Sequence, residues 1–183
     1  PHCLVKAMAE PFTGELLQQY DLIIDGTDSL DTRLLLNDVS RKHNAPLVIG
    51  TASGTSGMLF VVGEACWQCI TLGKAATDGC DAGILSMATH SVASLQASAA
   101  LQTLLGKPPL DLVEIDAWSM RLSTIAVKRN PLCSACKGEF KYLDAPLSVR
   151  FCQSRNKSLA KPTKPRVLDL EELKGSQVVL KDY

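Results

Sequence analysis

The chain has 183 residues, of which 46% are apolar and 21% are charged, and this composition of an ordinary globular protein excludes disorder, collagen-like structure and coiled coil. Nineteen Lys and Arg residues balance nineteen Asp and Glu residues, so no overall positive charge draws the chain to nucleic acid or to an anionic membrane. No apolar run approaches the roughly 18 residues that cross a bilayer, and the first residues lack a signal-peptide pattern. We therefore expect a cytoplasmic protein that binds neither nucleic acid nor membrane.

The first part of the chain alternates strand and helix patterns, the order typical of a parallel sheet covered by helices. The apolar run 21–25 stops at Gly26, as a buried parallel strand does where it delivers polar residues to its carboxyl end. Asp28 or Ser29 can cap the helix that follows. In chain order, the pattern predicts a strand over 3–8, a helix over 13–19, a strand over 21–25, a helix over 29–43 and a strand over 46–50.

The second part begins with the glycine-rich segment 50–57, which we expect to turn the chain between two strands. A nonperiodic stretch over 71–82 is typical of an exposed crossing loop. The helix that follows is rich in Ala and Ser, and it either packs closely on the sheet or presents a face to a partner subunit. Gly106 ends it. The predicted elements are a strand over 58–62, a helix over 83–105, hairpin strands over 112–115 and 122–127, and a linker with a small appendage over 143–183.

Four of the seven cysteines form two C-x-x-C pairs, Cys66 with Cys69 and Cys133 with Cys136. Each pair places two thiolates on one tight turn, and two such turns supply the four sulfur ligands of a closed tetrahedral zinc site. Such a zinc contributes stability and no Lewis acidity, because it has no open position. Redox dithiols, or cysteines that pack as small apolar residues, are the alternatives.

Two further features could carry chemistry. The segment Asp25-Gly26-Thr27-Asp28-Ser29 offers a carboxylate that can hold Mg²⁺ against nucleotide phosphates, although helix capping alone also explains Asp and Ser there. Cys80 precedes a predicted helix, whose dipole would stabilise the thiolate and so favour a role as a nucleophile. An inert surface cysteine is the alternative. No G-x-G-x-x-G or G-x-x-x-x-G-K-[ST] motif occurs.

Taken in order, these motifs closely resemble the ThiF/MoeB/HesA family, whose members are relatives of the ubiquitin-activating enzymes. The resemblance covers about residues 1–142, and the ordered series is far more specific than any single motif. It includes the strand-end segment 21–29 with Arg33 and Asn37, Pro46-Leu-Val, both cysteine pairs, and Cys80-x-Ala-Gly83.

The resemblance implies an α/β fold with a Rossmann-like mixed sheet, helices on both faces and a zinc staple. It further implies an enzyme that uses MgATP to adenylate the C-terminal glycine of a ubiquitin-like sulfur carrier of the ThiS/MoaD type, as in thiamin or molybdopterin biosynthesis, and that is commonly a homodimer. By this resemblance Asp28 matches the Mg/ATP aspartate, with Thr27 and Ser29 beside the nucleotide. The four paired cysteines match the zinc ligands, and Cys80 matches the crossover-loop cysteine that takes part in thioester or acyl-disulfide chemistry in some members.

The chain departs from the family pattern in two ways. Ser29 stands where many members have Asn. The family's glycine-rich nucleotide loop, with the Arg and Lys that hold the ATP phosphates, precedes the matched region. We therefore expect the chain to be the C-terminal part of a longer adenylation domain, inactive alone. The alternative is a noncatalytic zinc-stabilised module that binds a ubiquitin-like partner.

Overall fold

The computed structural model describes residues 17, 20–72 and 83–144. The strand predicted over 3–8, the helix over 13–19, most of the loop over 71–82 and the appendage over 143–183 fall wholly or largely outside these residues. The predicted domain boundary between residues 142 and 143 adjoins the end of the described part and stays a prediction. No described helix combines the length and apolar character needed to cross a membrane.

The described residues form one sheet of five strands in the order β1-β2-β3-β4-β5. Strands β1 and β2 run parallel, and the other three pairings are antiparallel, so the predicted mixed sheet is confirmed. The elements in chain order are β1 (Ile23–Asp25), α1 (Leu30–His43), β2 (Leu47–Ser53), β3 (Ser56–Val61), α2 (Trp67–Thr71), α3 (Ser86–Leu104), β4 (Leu112–Asp116), β5 (Arg121–Ile125) and α4 (Ser134–Lys137).

Apolar side chains cover both faces of the sheet because successive residues of a strand point in opposite directions. Leu47 and Ile49 of β2 belong to the cluster that includes α1, whereas Val48 belongs to the cluster that includes α3. The helices therefore lie on both faces, as predicted. On the α1 side the buried residues include Leu34, Leu35, Val39 and Phe60; on the α3 side they include Leu59, Val61, Val92, Ala99 and Ala100.

The turn between β2 and β3 is narrower than predicted. Most of the glycine-rich segment belongs to the strands, with Ser53 paired to Ser56, and only Gly54 and Thr55 connect them. Gly54 has a φ of +59°, a left-handed conformation that favours glycine. The small residues at the turn end of these strands, such as Thr51, Ser53 and Ser56, favour a turn in the sequence although they pair in the sheet.

Helix α3 begins at Ser86, so the predicted start at residue 83 is three residues early. The backbone before it is extended, because Ile84 bridges to Gly54 and the N–H of Leu85 donates to the Gly54 carbonyl at 2.8 Å. The predicted end is confirmed, since Gly106 follows with a φ of +72°. The hairpin predicted for the next segment is confirmed as β4 and β5.

Candidate functional site

The two cysteine pairs come together although they are far apart in the sequence. Cys66 precedes α2, and Cys133 precedes α4. The four sulfurs lie within 4.8 Å of one another, and four of their separations are 3.4 to 3.8 Å. Four sulfurs bound at about 2.3 Å to one tetrahedral ion lie about 3.8 Å apart. The four predicted ligands are therefore close enough together to hold one metal ion. They are Cys66, Cys69, Cys133 and Cys136.

Burial sets the chemistry of these thiols. Cys66 and Cys133 are fully buried. Burial raises the pKa of the Cys66 thiol far above its usual range, with a further contribution from the neighbouring thiols, and burial raises the pKa of Cys136 to about 11. At Cys69 burial also acts to raise the pKa, but the backbone N–H of Asn130 helps to lower it below its usual value. A bound cation would replace the protons that burial keeps on Cys66 and Cys136.

Asn130 fixes the loop that carries the second cysteine pair. Its N–H donates to Sγ of Cys69 at 3.3 Å, and its carbonyl accepts from the N–H of Cys133 at 3.0 Å. Its side-chain oxygen accepts from the N–H of Leu132 at 2.9 Å. The neighbouring Arg129 guanidinium donates to the Cys136 carbonyl. One short loop therefore joins both cysteine pairs through the backbone.

Three buried polar side chains lie beside the cysteine cluster: Asn37 and Asp38 of α1, and Gln68 of α2. Burial raises the pKa of the Asp38 carboxyl, although the N–H of Tyr142 and the Asn37 side chain act to lower it. Neither Asp38 nor Gln68 is predicted from the sequence. The available signal was the polar pair Asn37-Asp38 inside an otherwise apolar stretch of helix.

The strand-end motif is organised around Asp25, which is buried. Its Oδ1 accepts from the backbone N–H of Thr27 at 2.8 Å and from the Thr27 hydroxyl at 2.7 Å. Its Oδ2 pairs with Nε of Arg33 at 3.0 Å. The Arg33 guanidinium also donates to the carbonyl of Thr27, and to that of Gly50 at 3.4 Å. Arg33 thus joins the carboxyl end of β1 to β2.

Ser29, and not Asp28, caps helix α1. The Ser29 hydroxyl accepts from the N–H of Thr32 at 3.3 Å. Asp28 is exposed, and among the described residues no hydrogen bond or ion pair engages its carboxylate. The capping alternative therefore applies to Ser29 alone, while the Asp28 carboxylate at the edge of the sheet remains available to a ligand.

Helix α3 contacts the strand-end motif from the opposite face of the sheet. The amide of Gln96 is buried and donates to the carbonyl of Asp25 at 2.8 Å. This hydrogen bond joins residues 71 positions apart and is another feature that the sequence does not predict. The predicted nucleophile, Cys80, lies outside the described residues together with Cys3 and Cys152, so its place relative to both sites stays a prediction.

Comparison with known proteins shows the family of this chain. A model described as the ThiF family matches residues 1–135 of this chain. The chain belongs to the ThiF family. Similar curated proteins include a sulfur carrier protein adenylyltransferase of Thermus thermophilus, 34% identical over 68% of this chain and 52% of that protein. The sulfur carrier protein ThiS adenylyltransferase of Bacillus subtilis is 30% identical over 88% of this chain and 51% of its own length.

A third relative, the molybdopterin-synthase adenylyltransferase of Escherichia coli, is 32% identical over 66% of this chain and 52% of that protein. The chain thus spans about half the length of these relatives. Among solved structures, E. coli MccB with MccA-N7isoASN matches with a TM-score of 0.53 and 16% identity, over 70% of this chain and 45% of that one. This ThiF-family chain shares the fold of MccB over the matched part.

Proposed function

We propose that this chain carries the magnesium-binding edge and the metal-stabilised part of an adenylyltransferase that acts on a ubiquitin-like sulfur carrier of the ThiS/MoaD type. Family membership and the named activities of the similar proteins support this function. The main structural observation behind this proposal is the exposed Asp28 carboxylate. It lies just after the carboxyl end of β1, which the Asp25–Arg33 ion pair holds in place. The reaction joins the carrier's C-terminal carboxylate to the α-phosphorus of ATP and releases pyrophosphate, which turns a poor electrophile into a reactive acyl adenylate.

In this proposal the residues at the strand end hold and orient the nucleotide. Asp28 would hold Mg²⁺, which would offset the negative charge of the phosphates. Thr27 and Ser29 lie on either side, where the N-terminus of α1 favours an anion. Arg33 keeps this loop in one conformation. Its guanidinium pairs with Asp25 and also donates to the carbonyls of Thr27 in the loop and of Gly50 in β2.

We propose zinc as the metal of the cysteine cluster. Four thiols in a closed arrangement fit the tetrahedral sulfur coordination that zinc prefers, and they leave no position for a substrate. The ion would join the end of β3 to the loop after β5 and would stabilise the fold. Its role is structural, so the adenylation chemistry belongs to the strand-end motif.

We assign Cys80 to the covalent step that follows activation in some family members. The thiolate of Cys80 attacks the acyl carbon of the adenylate and displaces AMP. Cys80 and the carrier are then joined by a thioester. We further propose that the protein works as a homodimer in the cytoplasm. The exposed small residues of α3, such as Ala93 and Ala97, allow close approach of a second backbone.

The test is ATP–pyrophosphate exchange, measured in the complete enzyme with its sulfur carrier. Asp28→Ala removes the magnesium ligand, and we expect a loss of roughly 10²-fold or more in exchange rate, the size of a single electrostatic contact to a transition state. Asp111→Ala, which removes another exposed carboxylate before β4, is the matched control and should retain the wild-type rate.

A near-wild-type exchange rate for Asp28→Ala would contradict the assigned role. If the complete protein binds a ubiquitin-like carrier but shows no exchange, the noncatalytic binding module becomes the better account.

A further inference from the structure

We propose that Gln68 is a positioning residue of the cysteine cluster: its carboxamide, held by Asp38 of α1, orients the second cysteine pair for metal binding. This inference rests on the zinc site proposed above and not on the adenylation activity. It assigns a function to a residue that lies between two cysteines but is not itself a metal ligand.

The oxygen of the Gln68 amide organises the turn of the second cysteine pair. Oε1 accepts from the Ser134 hydroxyl at 3.0 Å and from the backbone N–H of Ala135 at 3.4 Å. The Cys133 thiol lies 3.8 Å from the same oxygen. Gln68 is only 5% exposed, so water does not compete for these contacts. One side chain from the first cysteine turn therefore fixes the N-terminus of α4, on which the second pair is placed.

The nitrogen of the same amide is fixed by Asp38. Nε2 donates to Oδ1 of Asp38 at 3.0 Å, and Oδ2 of Asp38 accepts from the backbone N–H of Tyr142 at 2.9 Å. A carboxylate has only acceptors to offer, so Gln68 must turn its NH₂ group toward Asp38 and its oxygen toward Ser134. The alternative flip of the amide would oppose donor to donor and acceptor to acceptor. The orientation of Gln68 is thus determined from both ends.

The turn of the first cysteine pair is held by Asn37, the residue next to Asp38 on α1. Asn37 accepts from the backbone N–H of Trp67 at 2.8 Å through its side-chain oxygen. Helix α1 therefore contacts both cysteine turns, one through Asn37 and the other through Asp38 and Gln68. Partners that orient metal ligands in this way raise metal affinity because less ordering remains when the metal binds.

The test measures transfer of zinc from the folded protein to a chromophoric chelator. Gln68→Ala removes both hydrogen-bonding ends of the amide, and we expect zinc to be released roughly 10- to 100-fold faster. Gln68→Glu places a carboxylate against Asp38 and should also accelerate release. Gln68→Glu combined with Asp38→Asn reverses the direction of the hydrogen bond, keeps the same net charge and should return the rate toward that of wild type.

Gln96→Ala is the matched control, because it truncates a buried glutamine whose hydrogen bond lies at the strand-end motif. It should leave the zinc release rate unchanged even where it lowers the melting temperature. Circular dichroism verifies folding, and if Gln68→Ala does not fold, the comparison of the Gln68→Glu single variant with the double variant decides.

Release from Gln68→Ala at the wild-type rate, or a double variant no slower than Gln68→Glu, would overturn the positioning role while leaving the zinc site intact. A wild-type protein that holds no zinc would contradict the zinc site itself, and this inference with it.

Discussion

At the scale of single residues, Gly50 and Gln96 form a contact that supports the strand-end motif. A Cβ atom at Gly50 would lie 2.3 Å from the carbon and the oxygen of the Gln96 amide, which is closer than atoms pack. The same amide donates to the carbonyl of Asp25. The missing side chain of Gly50 therefore gives Gln96 the space to reach β1 from the far face of the sheet.

We expect Gly50→Ala to destabilise the protein by about 1–3 kcal/mol, because the Gln96 amide must move and the buried carbonyl of Asp25 then loses its donor. Urea unfolding measures the change in the free energy of unfolding. In a Gln96→Ala background the same substitution should cost less, since the clash and the hydrogen bond are both already gone. Additive effects of the two substitutions would show that Gly50 does not act through Gln96.

Residues that rely on local signals were the ones that the sequence could predict. Ser29 caps α1 because a short polar side chain before a helical pattern is a local feature, and the paired spacing of Cys66 with Cys69 is local as well. Gln68 and Asp38 were missed because their meaning depends on a contact between residues 30 positions apart. The sequence around Gln68 or around Asp38 does not indicate which partner the fold brings to that residue.

At the scale of secondary-structure elements, α1 connects the two candidate sites. Its cap, Ser29, is the last residue of the strand-end motif, and eight residues later Asn37 contacts the first cysteine turn. At 1.5 Å per residue this separation is about 12 Å along the helix. Helix α1 packs on the sheet through its apolar residues, and their periodicity therefore predicted the helix. The polar contacts of α1 to the cysteine turns depend on tertiary structure and were not predicted.

Helix α3 shows where local patterns stop short. Its apolar and small residues continue back to Gly83, so the pattern alone extends the helix to that point. The extended pairing of Ile84 with the β2–β3 turn competes with the helix there and delays its start. The strands of the β2–β3 hairpin were likewise longer than predicted, because cross-strand pairing extends through small polar residues that favour a turn in isolation.

We expect self-association through the exposed side of α3. The helix contains no Asp, Glu, Lys or Arg, and its exposed residues include Ala93, Ser94, Ala97 and Ser98. Light scattering should give a dimer mass, and Ala97→Glu should shift it to a monomer because charges in such an interface lose their hydration.

Ala126→Glu places the same charge at another exposed alanine and should leave the dimer intact. A wild-type protein that is monomeric at high concentration would contradict self-association through α3.

At the scale of the whole molecule, we expect one zinc ion per chain in protein purified without added metal. Cys133→Ser removes one of four ligands from a fully buried position, so zinc should be lost and the melting temperature should fall. Elemental analysis and calorimetric melting measure the two effects. Substoichiometric zinc together with four freely titratable thiols would contradict the site.

We also expect the 183-residue chain to bind MgATP only weakly. Triphosphate affinity depends on the backbone donors of a glycine-rich loop and on cationic side chains. Neither G-x-G-x-x-G nor G-x-x-x-x-G-K-[ST] occurs in this sequence. Asp28 supplies a metal contact alone. Isothermal titration calorimetry should therefore detect no micromolar binding, and micromolar affinity would show that other residues of this chain hold the phosphates.

The wide separation of the two cysteine pairs constrains the order in which the protein forms. Cys66 and Cys133 are 67 positions apart, and β4 and β5 lie between them. During synthesis the first pair emerges as a free dithiol, and the second pair follows only after β4 and β5 have been made. We therefore expect four-sulfur coordination to form late, because it closes a long loop and needs the second pair. Until then, the earliest cysteines of the cluster are the ones most exposed to oxidation.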